Sequence, residues 1–423
     1  MDGKFRYSMN YQLRQQVEQM EQDKTARATP SAAESAVRTF MPEIKDERQQ
    51  FKVVYPLDYV YLVALPAGLS GQTSCVQIAD YWANNRPAPE EYFPDFPREN
   101  ISHDTVRRLL MLIDPQQFAS FYSRLVTPLL DKMASRIVAV DGQAVRASKN
   151  PQAASGRYLL CFWDTENGIA LGQKLIGPKG NEITYAAEMV KDFDLAGCVV
   201  TADALNTQKE FARELVDAGG DCCLAVKGNQ KHLYLDIQMA FADVTETRGK
   251  LWGSKCTLAH GRIGHRSVCV LPASVLAQDH LDDWGGLEEG CIVRATTSCE
   301  NKKSGDASQL DRFFISTLRW DHPFVADQAA RAVRRHWGIE NELHCVLDVD
   351  FYQDRTQCKN ANYINNRILL NKFGIAVLNK LQQKETEKTG KDAMSKRRSM
   401  HKLHAVPSAL KALSEVYAEV IHA

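Results

Sequence analysis

The stretch "HWGIENELHCVLDV", residues 336–349, sets His336, Glu340, His344 and Asp348 four residues apart. On a helix that spacing stacks side chains on one face, so the segment reads as a polar stripe on an otherwise apolar helix. Such a stripe could bind a metal, contact nucleic acid or simply face water. A zinc site from His336, Glu340 and His344 alone is disfavoured, because ligands spread over two full turns rarely converge on one ion without other elements. Further oxygen ligands are available. Asp141 follows the apolar run "IVAV" and precedes Gly142, and Asp203 stands at the end of "CVVTA", 62 residues later. A carboxylate at the end of a buried strand is held rigidly where a metal or substrate can reach it. If the two strands are neighbours the carboxylates converge; taken singly, each could instead cap the turn that follows. With Glu340 as a third ligand they could hold two divalent cations, and Mg2+ prefers such hard oxygens and pairs with phosphate. Two ions about 3.5–4 Å apart can activate an attacking oxygen and stabilise a leaving one in an in-line phosphoryl displacement.

These residues need elements to position them. From Arg136 the pattern alternates: "RIVAV", "RYLLCFW" and "GIALGQKLI" read as three strands, two of them joined as a hairpin through "DTEN". "EITYAAEMVKDFD" follows as an amphipathic helix, "GCVVTADA" as a buried strand, "TQKEFARELVDAG" as a second helix and "DCCLAVKGN" as another strand. The order β-β-β-α-β-α-β implies an α/β fold, a mixed sheet with helices on it. Residues 244–320 break the alternation with further strands and turn-rich spacers, a β-rich insertion. Helical pattern returns at about Pro323 and carries Glu340. Apolar Val333, Trp337, Leu343 and Leu347 should direct that helix onto the sheet, with Trp337 in the core. Upstream, "TSCVQIADYWANN" and "SHDTVRRLLMLI" read as two helices, the second capped by Ser102 or Asp104. Arg107 and Arg108 on the second helix are candidate DNA contacts. The connection "RPAPEEYFPDFPRENI" is nevertheless far longer than a helix-turn-helix uses.

Composition narrows the class. A chain of 423 residues with 44% hydrophobic and 25% charged content is long enough for two or three domains with sizeable cores. The apolar run "VVYPLDYVYLVALPAGL" is broken by Pro56, Asp58 and Pro66, which makes it a buried helix rather than a membrane anchor. The N-terminus lacks the apolar core of a secretion signal, so a cytoplasmic location is expected. The 11 cysteines include no C-x-x-C pair and fit neither a disulfide framework nor a zinc ribbon. Net charge is zero, with 52 basic and 52 acidic residues, which argues weakly against a nucleic-acid partner. Local clusters such as "RAVRRHW" and "KDAMSKRRSMHKLH" leave that partner open. No H-E-x-x-H, Walker loop, dinucleotide fingerprint or nucleophile elbow is present.

Six motifs together carry a family resemblance: "VAVDG" at Asp141, "NEIT" at Asn181, "VTADALNTQKE" at Asp203, "LAVKGNQ" at Lys227, "HGRI" at His260 and "HWGIENELH" around Glu340. In these the chain resembles bacterial insertion-sequence transposases of the H-repeat-associated family, a branch of the DDE transposases with a ribonuclease H-like catalytic core. The resemblance implies a triad of Asp141, Asp203 and Glu340 holding two Mg2+ or Mn2+ ions. It also implies cleavage at transposon ends, strand transfer into target DNA, and a homodimer on DNA. Arg146, Lys149, Lys227, Asn229, His260, Arg262 and His336 are the further candidate DNA contacts, with Asn341 and His344 in support. The expected organisation is a polar arm over residues 1–45, a helical DNA-binding-type domain over 46–132, a catalytic domain over 133–380 with its insertion at about 228–320, and a basic C-terminal tail region over 381–423. Three positions depart from the family pattern: Gln143 stands where lysine is usual, Gly264 where glutamate is, and Cys345 where tryptophan is. Those departures keep open a weakened, DNA-binding descendant of a transposase, or a metal-dependent nuclease that cuts without joining.

Overall fold

The computed structural model describes residues 44–85, 97, 99–130, 136–146, 156–177, 180–242, 249–254, 257–259, 262–302, 304–355, 358–391 and 394–421. Four helices come first: α1 (Leu57–Leu69), α2 (Cys75–Asn84), α3 (His103–Leu112) and α4 (Pro115–Val126). Their starts are written in local chemistry. Ser74 and Gln77 form a reciprocal capping box at α2, and Asp114 caps α4 with Pro115 in the first turn. At α3 the cap is Ser102, whose hydroxyl accepts from the Thr105 amide, while Asp104 pairs with Arg107 instead. The apolar run through α1 is buried nearly all round, and no helix among the described residues is long and apolar enough to cross a membrane.

The sheet begins with β1 (Ile137–Val145), β2 (Arg157–Asp164) and β3 (Ile169–Ile176), all antiparallel neighbours. Helix α5 (Glu182–Val190) leads to β4 (Val199–Ala202), and α6 (Lys209–Asp217) to β5 (Asp221–Val226). β4 lies parallel to β1, and β5 parallel to β4. The resulting order β3-β2-β1-β4-β5 is the ribonuclease H-like mixed sheet. After α7 (Lys231–Ala242), strands β6 (Lys250–Gly253), β7 (Thr257–Ala259) and β8 (Arg262–Pro272), helix α8 (Gln278–Asp283), then β9 (Cys291–Asn301) and β10 (Ala307–Ser316) form the β-rich segment. Because β10 pairs antiparallel with β5, these strands extend the same sheet to ten strands.

Helices cover both faces. Alternation along β1 sends Val138 and Val140 into one core, with residues of α5, α6 and α7, and sends Ile137, Ala139 and Asp141 to the opposite face. Adjacent Cys222 and Cys223 divide in the same way between the two cores, and the described cysteines are free thiols. The second face is covered by α9 (Val325–Gly338), a π-helical turn (Ile339–His344), α10 (Cys345–Val349) and α11 (Ala361–Thr389). Helix α11 also packs on α1, α3 and α4. The basic C-terminal residues fold back as α12 (Lys396–Lys402) and α13 (Val406–Ile421). There Leu410, Leu413 and Tyr417 are buried, and the Tyr417 hydroxyl donates to the Leu125 carbonyl at 2.7 Å.

Trp337 departs from expectation: it is 41% exposed rather than core. The stripe that α9 turns inward runs through Val325, Ala329, Ala332, Ile339 and Leu343. Small alanines let the helix sit close to the sheet, and Trp337 falls outside that line, beside a groove.

Candidate active site

β1 does not stop at Asp141 but continues to Val145, because β2 remains paired to it as far as Arg157. β4 does end at Ala202, which pairs with Val140. Asp141, inside β1, and Asp203, the first residue past β4, therefore sit at the same level on two adjacent parallel strands. Asp203 also serves its own turn, its Oδ1 accepting from the Asn206 amide at 3.1 Å. Glu340 arrives from the other direction on the π-helical turn and is exposed. Such turns interrupt α-helical phase and are frequent where a helix serves a site.

The electrostatics follow from burial and from the acidic neighbours. Asp141 is pushed up to about 7, first by burial and then by the negative charges of Asp203, Glu340 and Glu182, against the opposing hydrogen bond from the Gly142 amide. His344 places Nδ1 3.5 Å from Asp141 Oδ2. Burial, with the positive charges of Lys372 and His336 behind it, pushes the imidazole down to about 3. The contact is thus between a neutral ring and a carboxyl group. His336 bonds not to Glu340 but to Thr201, Nδ1 to Oγ1 at 3.1 Å, two residues before Asp203 on β4. Burial and nearby Lys227 lower its pKa, while Asp203 raises it.

The other candidates divide. Lys227 and Asn229 follow β5 and are exposed, and the Asn229 amide donates to the Ala204 carbonyl at 2.6 Å, stitching this loop to the one after Asp203. Asn341 bonds locally, its Nδ2 donating to the Trp337 carbonyl at 3.0 Å. Arg146 pairs with Asp354 at 3.4 Å. Asp348 accepts from Gln143 Nε2 at 2.9 Å and takes no place among the carboxylates. Arg107 and Arg108 lie on the exposed side of α3, which packs on α2 and α11, helices that carry none of the three carboxylates. Arg262 opens β8 by its backbone. Lys149 and His260 fall outside the described residues.

Two residues at the site had no role in the sequence reading. Glu182, in the first turn of α5, accepts from Asn206 Nδ2 at 2.8 Å, and the same amide nitrogen lies 3.1 Å from Asp203 Oδ1. An acid after an Asn cap is what any helix start favours, so only the "NEIT" motif hinted at more. Beside the site, between α9 and the extended sheet, runs a groove of about 820 Å3 lined by Trp252, Arg266, Arg312, Arg334, Arg335 and Trp337. The Arg312 guanidinium lies 4.9 Å over the Trp337 ring.

The donor set consists of carboxylates and an amide, hard oxygens of the kind divalent cations prefer. A bound cation would relieve the mutual repulsion that raises Asp141. The Asn206 Oδ1, buried and without a partner, is a further unused oxygen. Among the described residues, no three His, Cys, Asp or Glu side chains are gathered closely enough to enclose an ion. The fit is therefore one of chemistry and charge.

The chain is similar to several known proteins. Two Escherichia coli (strain K12) proteins, YbfL and the H repeat-associated protein YhhI, are each 28% identical over 324 residues, covering 75% of this chain and 84% of theirs. A protein encoded in the dhlA 3′ region of Xanthobacter autotrophicus is 30% identical over 276 residues, 62% of this chain and 88% of its own. Among solved structures, the piggyBac transposase synaptic complex with hairpin DNA covers 92% of this chain and 78% of its own at 10% identity, with a TM-score of only 0.42. The family model described as DDE-associated matches residues 38–126. The model described as the Transposase DDE domain matches residues 132–378, more than half the chain and all three carboxylates, so the chain belongs to the DDE transposase family.

Proposed function

We propose that this chain cuts DNA at the ends of a mobile element and joins those ends to target DNA, using Asp141, Asp203 and Glu340 to hold two Mg2+ or Mn2+ ions. The observation that carries the reading is the parallel register of β1 and β4, which sets Asp141 beside Asp203 within the electrostatic reach of Glu340. Ions bound there would activate an attacking oxygen and stabilise the leaving one in in-line displacement at a phosphodiester. Asp141 and Asp203 supply ligands from a rigid sheet. Glu340 would supply one from the π-helical turn of the covering helix. His344 holds the Asp141 carboxyl from behind without competing for charge. His336, tied to Thr201, stands one turn from Glu340 on the side where a scissile phosphate would lie.

DNA has a path to this centre. The groove beside Trp337 is lined by four arginines, Arg334 and Arg335 on the helix that leads to Glu340 and Arg266 and Arg312 on the extended sheet, and such a local cluster of positive charge attracts a phosphate backbone although the whole chain is neutral. In the reaction, water would attack the phosphodiester at the element's end and break its P–O3′ bond, giving a free 3′-OH and a 5′-phosphate, and that 3′ oxygen would then attack a target phosphodiester and expel the target's 3′-OH. Both ends must be handled together, so the working form is a homodimer on DNA. The three departures leave the carboxylates intact: Gln143 is hydrogen-bonded to Asp348, Gly264 pairs with Cys299 within the extended sheet, and Cys345 is exposed.

The test is to incubate the full chain and Mn2+ with DNA carrying the repeats that flank its gene, together with a supercoiled target. The expected result is metal-dependent nicking at the ends and joined products, lost in Asp203→Asn while DNA binding persists. Cleavage unchanged in Asp203→Asn would overturn the assignment, and cutting without joined products would make the chain a nuclease.

A further inference from the structure

The Glu182 carboxylate lies directly against the backbone of Gly142, the residue after Asp141. A Cβ built on Gly142 would come within 2.5 Å of Glu182 Oε1 and 2.7 Å of Oε2. No other residue type at position 142 leaves Glu182 where it is. The same carboxylate is tied to Asp203 through one amide: Asn206 Nδ2 donates to Glu182 Oε1 at 2.8 Å and lies 3.1 Å from Asp203 Oδ1. Asn206 is 1% exposed, and its Oδ1 has no partner.

Each of these is an expense of folding. Bringing the Glu182 carboxylate up to Asp141 and Asp203 costs free energy in a partly buried site, and so does an amide oxygen left unsatisfied in the interior. Helix capping does not account for the arrangement, since Asn181 already caps α5 through the Ile183 amide. A divalent cation would offset the crowding of the carboxylates, since a hard ion takes several of their oxygens together.

We infer that Glu182 is a fourth ligand carboxylate of this site, binding a divalent cation beside Asp141 and Asp203. The inference rests on the reading of that site as a metal centre. Glutamine at 182 keeps an oxygen for the Asn206 amide to donate to, so Glu182→Gln separates charge from hydrogen bonding. Gly142→Ala does the reverse, keeping every carboxylate while intruding on Glu182.

The experiment titrates Mn2+ into the full chain without DNA and follows the free-ion electron paramagnetic resonance signal, with thermal melts in EDTA to verify folding. Wild type, Glu182→Gln, Gly142→Ala and Asp203→Asn are compared. The expected result is Mn2+ affinity at least about tenfold weaker, or one ion fewer, in Glu182→Gln, with Gly142→Ala moving the same way. Should Glu182→Gln fail to fold, Gly142→Ala carries the comparison. If both bind as wild type does while Asp203→Asn does not, Glu182 is no ligand and the metal centre stands without it. If Asp203→Asn also binds as wild type does, the metal centre itself is refuted.

Discussion

His344 Nδ1 stands 3.5 Å from Asp141 Oδ2, yet the two make no ion pair, because burial keeps the imidazole neutral and burial, with the neighbouring carboxylates, holds Asp141 up at about 7. Asp141 in the metal-free protein therefore binds its proton more tightly than in the unfolded chain. A carboxyl whose folded pKa is raised contributes nothing adverse below its unfolded pKa, near 3.8, and destabilises progressively as pH rises toward 7. The full shift corresponds to roughly 4 kcal/mol, which the side chain's 20% exposure reduces. Asp141→Asn should raise Tm in EDTA by several degrees at pH 8 and by much less at pH 4.5. The opposite limb, where His344 resists protonation as pH falls below 6.5, is common to both proteins and cancels in the comparison. Equal effects at the two pH values would show that Asp141 is not held up in this way.

The same linkage reaches the metal. An ion binding Asp141 must displace its proton, so the rise in Tm produced by Mg2+ or Mn2+ should grow as pH climbs through 7 and level off near 8. Differential scanning calorimetry across that range checks it, and a metal effect independent of pH would remove Asp141 from the ligand set.

Much of this arrangement was legible in sequence because it follows from period and register. The runs before Asp141 and Asp203 are buried strands, and a β-β-β-α-β-α-β order places them side by side. What was not legible depends on tertiary contact. "GIENELH" reads as continuous α-helix, and only packing of Ile339 and Leu343 against the core reveals the π-helical turn that presents Glu340. Trp337 was assigned to the core because it shares a face with Val333. The close approach of α9 through Ala329 and Ala332 left no room for an indole there. Glu182 stayed hidden because a first-turn acid is ordinary, and its contact with Gly142 joins residues 40 apart in sequence.

Gln143, at the position where the family resemblance leads one to expect lysine, is held by a hydrogen bond. Its amide donates to Asp348 at 2.9 Å, joining β1 to α10 just beyond Glu340. Asp348 is raised by burial and by Asp354, so an ammonium at position 143 would find a waiting carboxylate. Gln143→Lys should stabilise the fold by up to about 1 kcal/mol at pH 7, and the gain should vanish below pH 4 as Asp348 protonates. Urea denaturation at pH 7 and at about pH 3 tests this, and a gain that survives undiminished at the lower pH would rule out the pairing.

Lys372 is fully buried, with Nζ 3.1 Å from the Cys161 thiol, and burial pushes its pKa down. A thiol is a poor partner for an amine removed from water. Lys372→Met should therefore be neutral or stabilising by about 1–3 kcal/mol. It should also raise the pKa of His344, on which Lys372 acts as a depressing charge. Imidazole chemical shifts followed through a pH titration would register that rise, and an unmoved His344 would separate Lys372 from the site.

The groove beside α9 makes the last case. Arg266, Arg312 and Arg334 line it, and Arg312 lies over the exposed ring of Trp337. If these arginines contact phosphates, each substitution by alanine weakens binding to any DNA sequence and lowers the slope of log affinity against log salt by about 1. Trp337 acts differently. A half-exposed indole held flat by a guanidinium is a surface for an unpaired base, and stacking is worth roughly 1–3 kcal/mol per base. Trp337→Ala should weaken single-stranded or frayed-end DNA about tenfold or more, leave intact duplex nearly unchanged and keep the salt slope. Fluorescence anisotropy with matched single- and double-stranded oligonucleotides at several salt concentrations separates the two contributions. Equal losses on both forms would place Trp337 in the packing of the groove wall and leave the arginines alone to guide the strand toward Glu340.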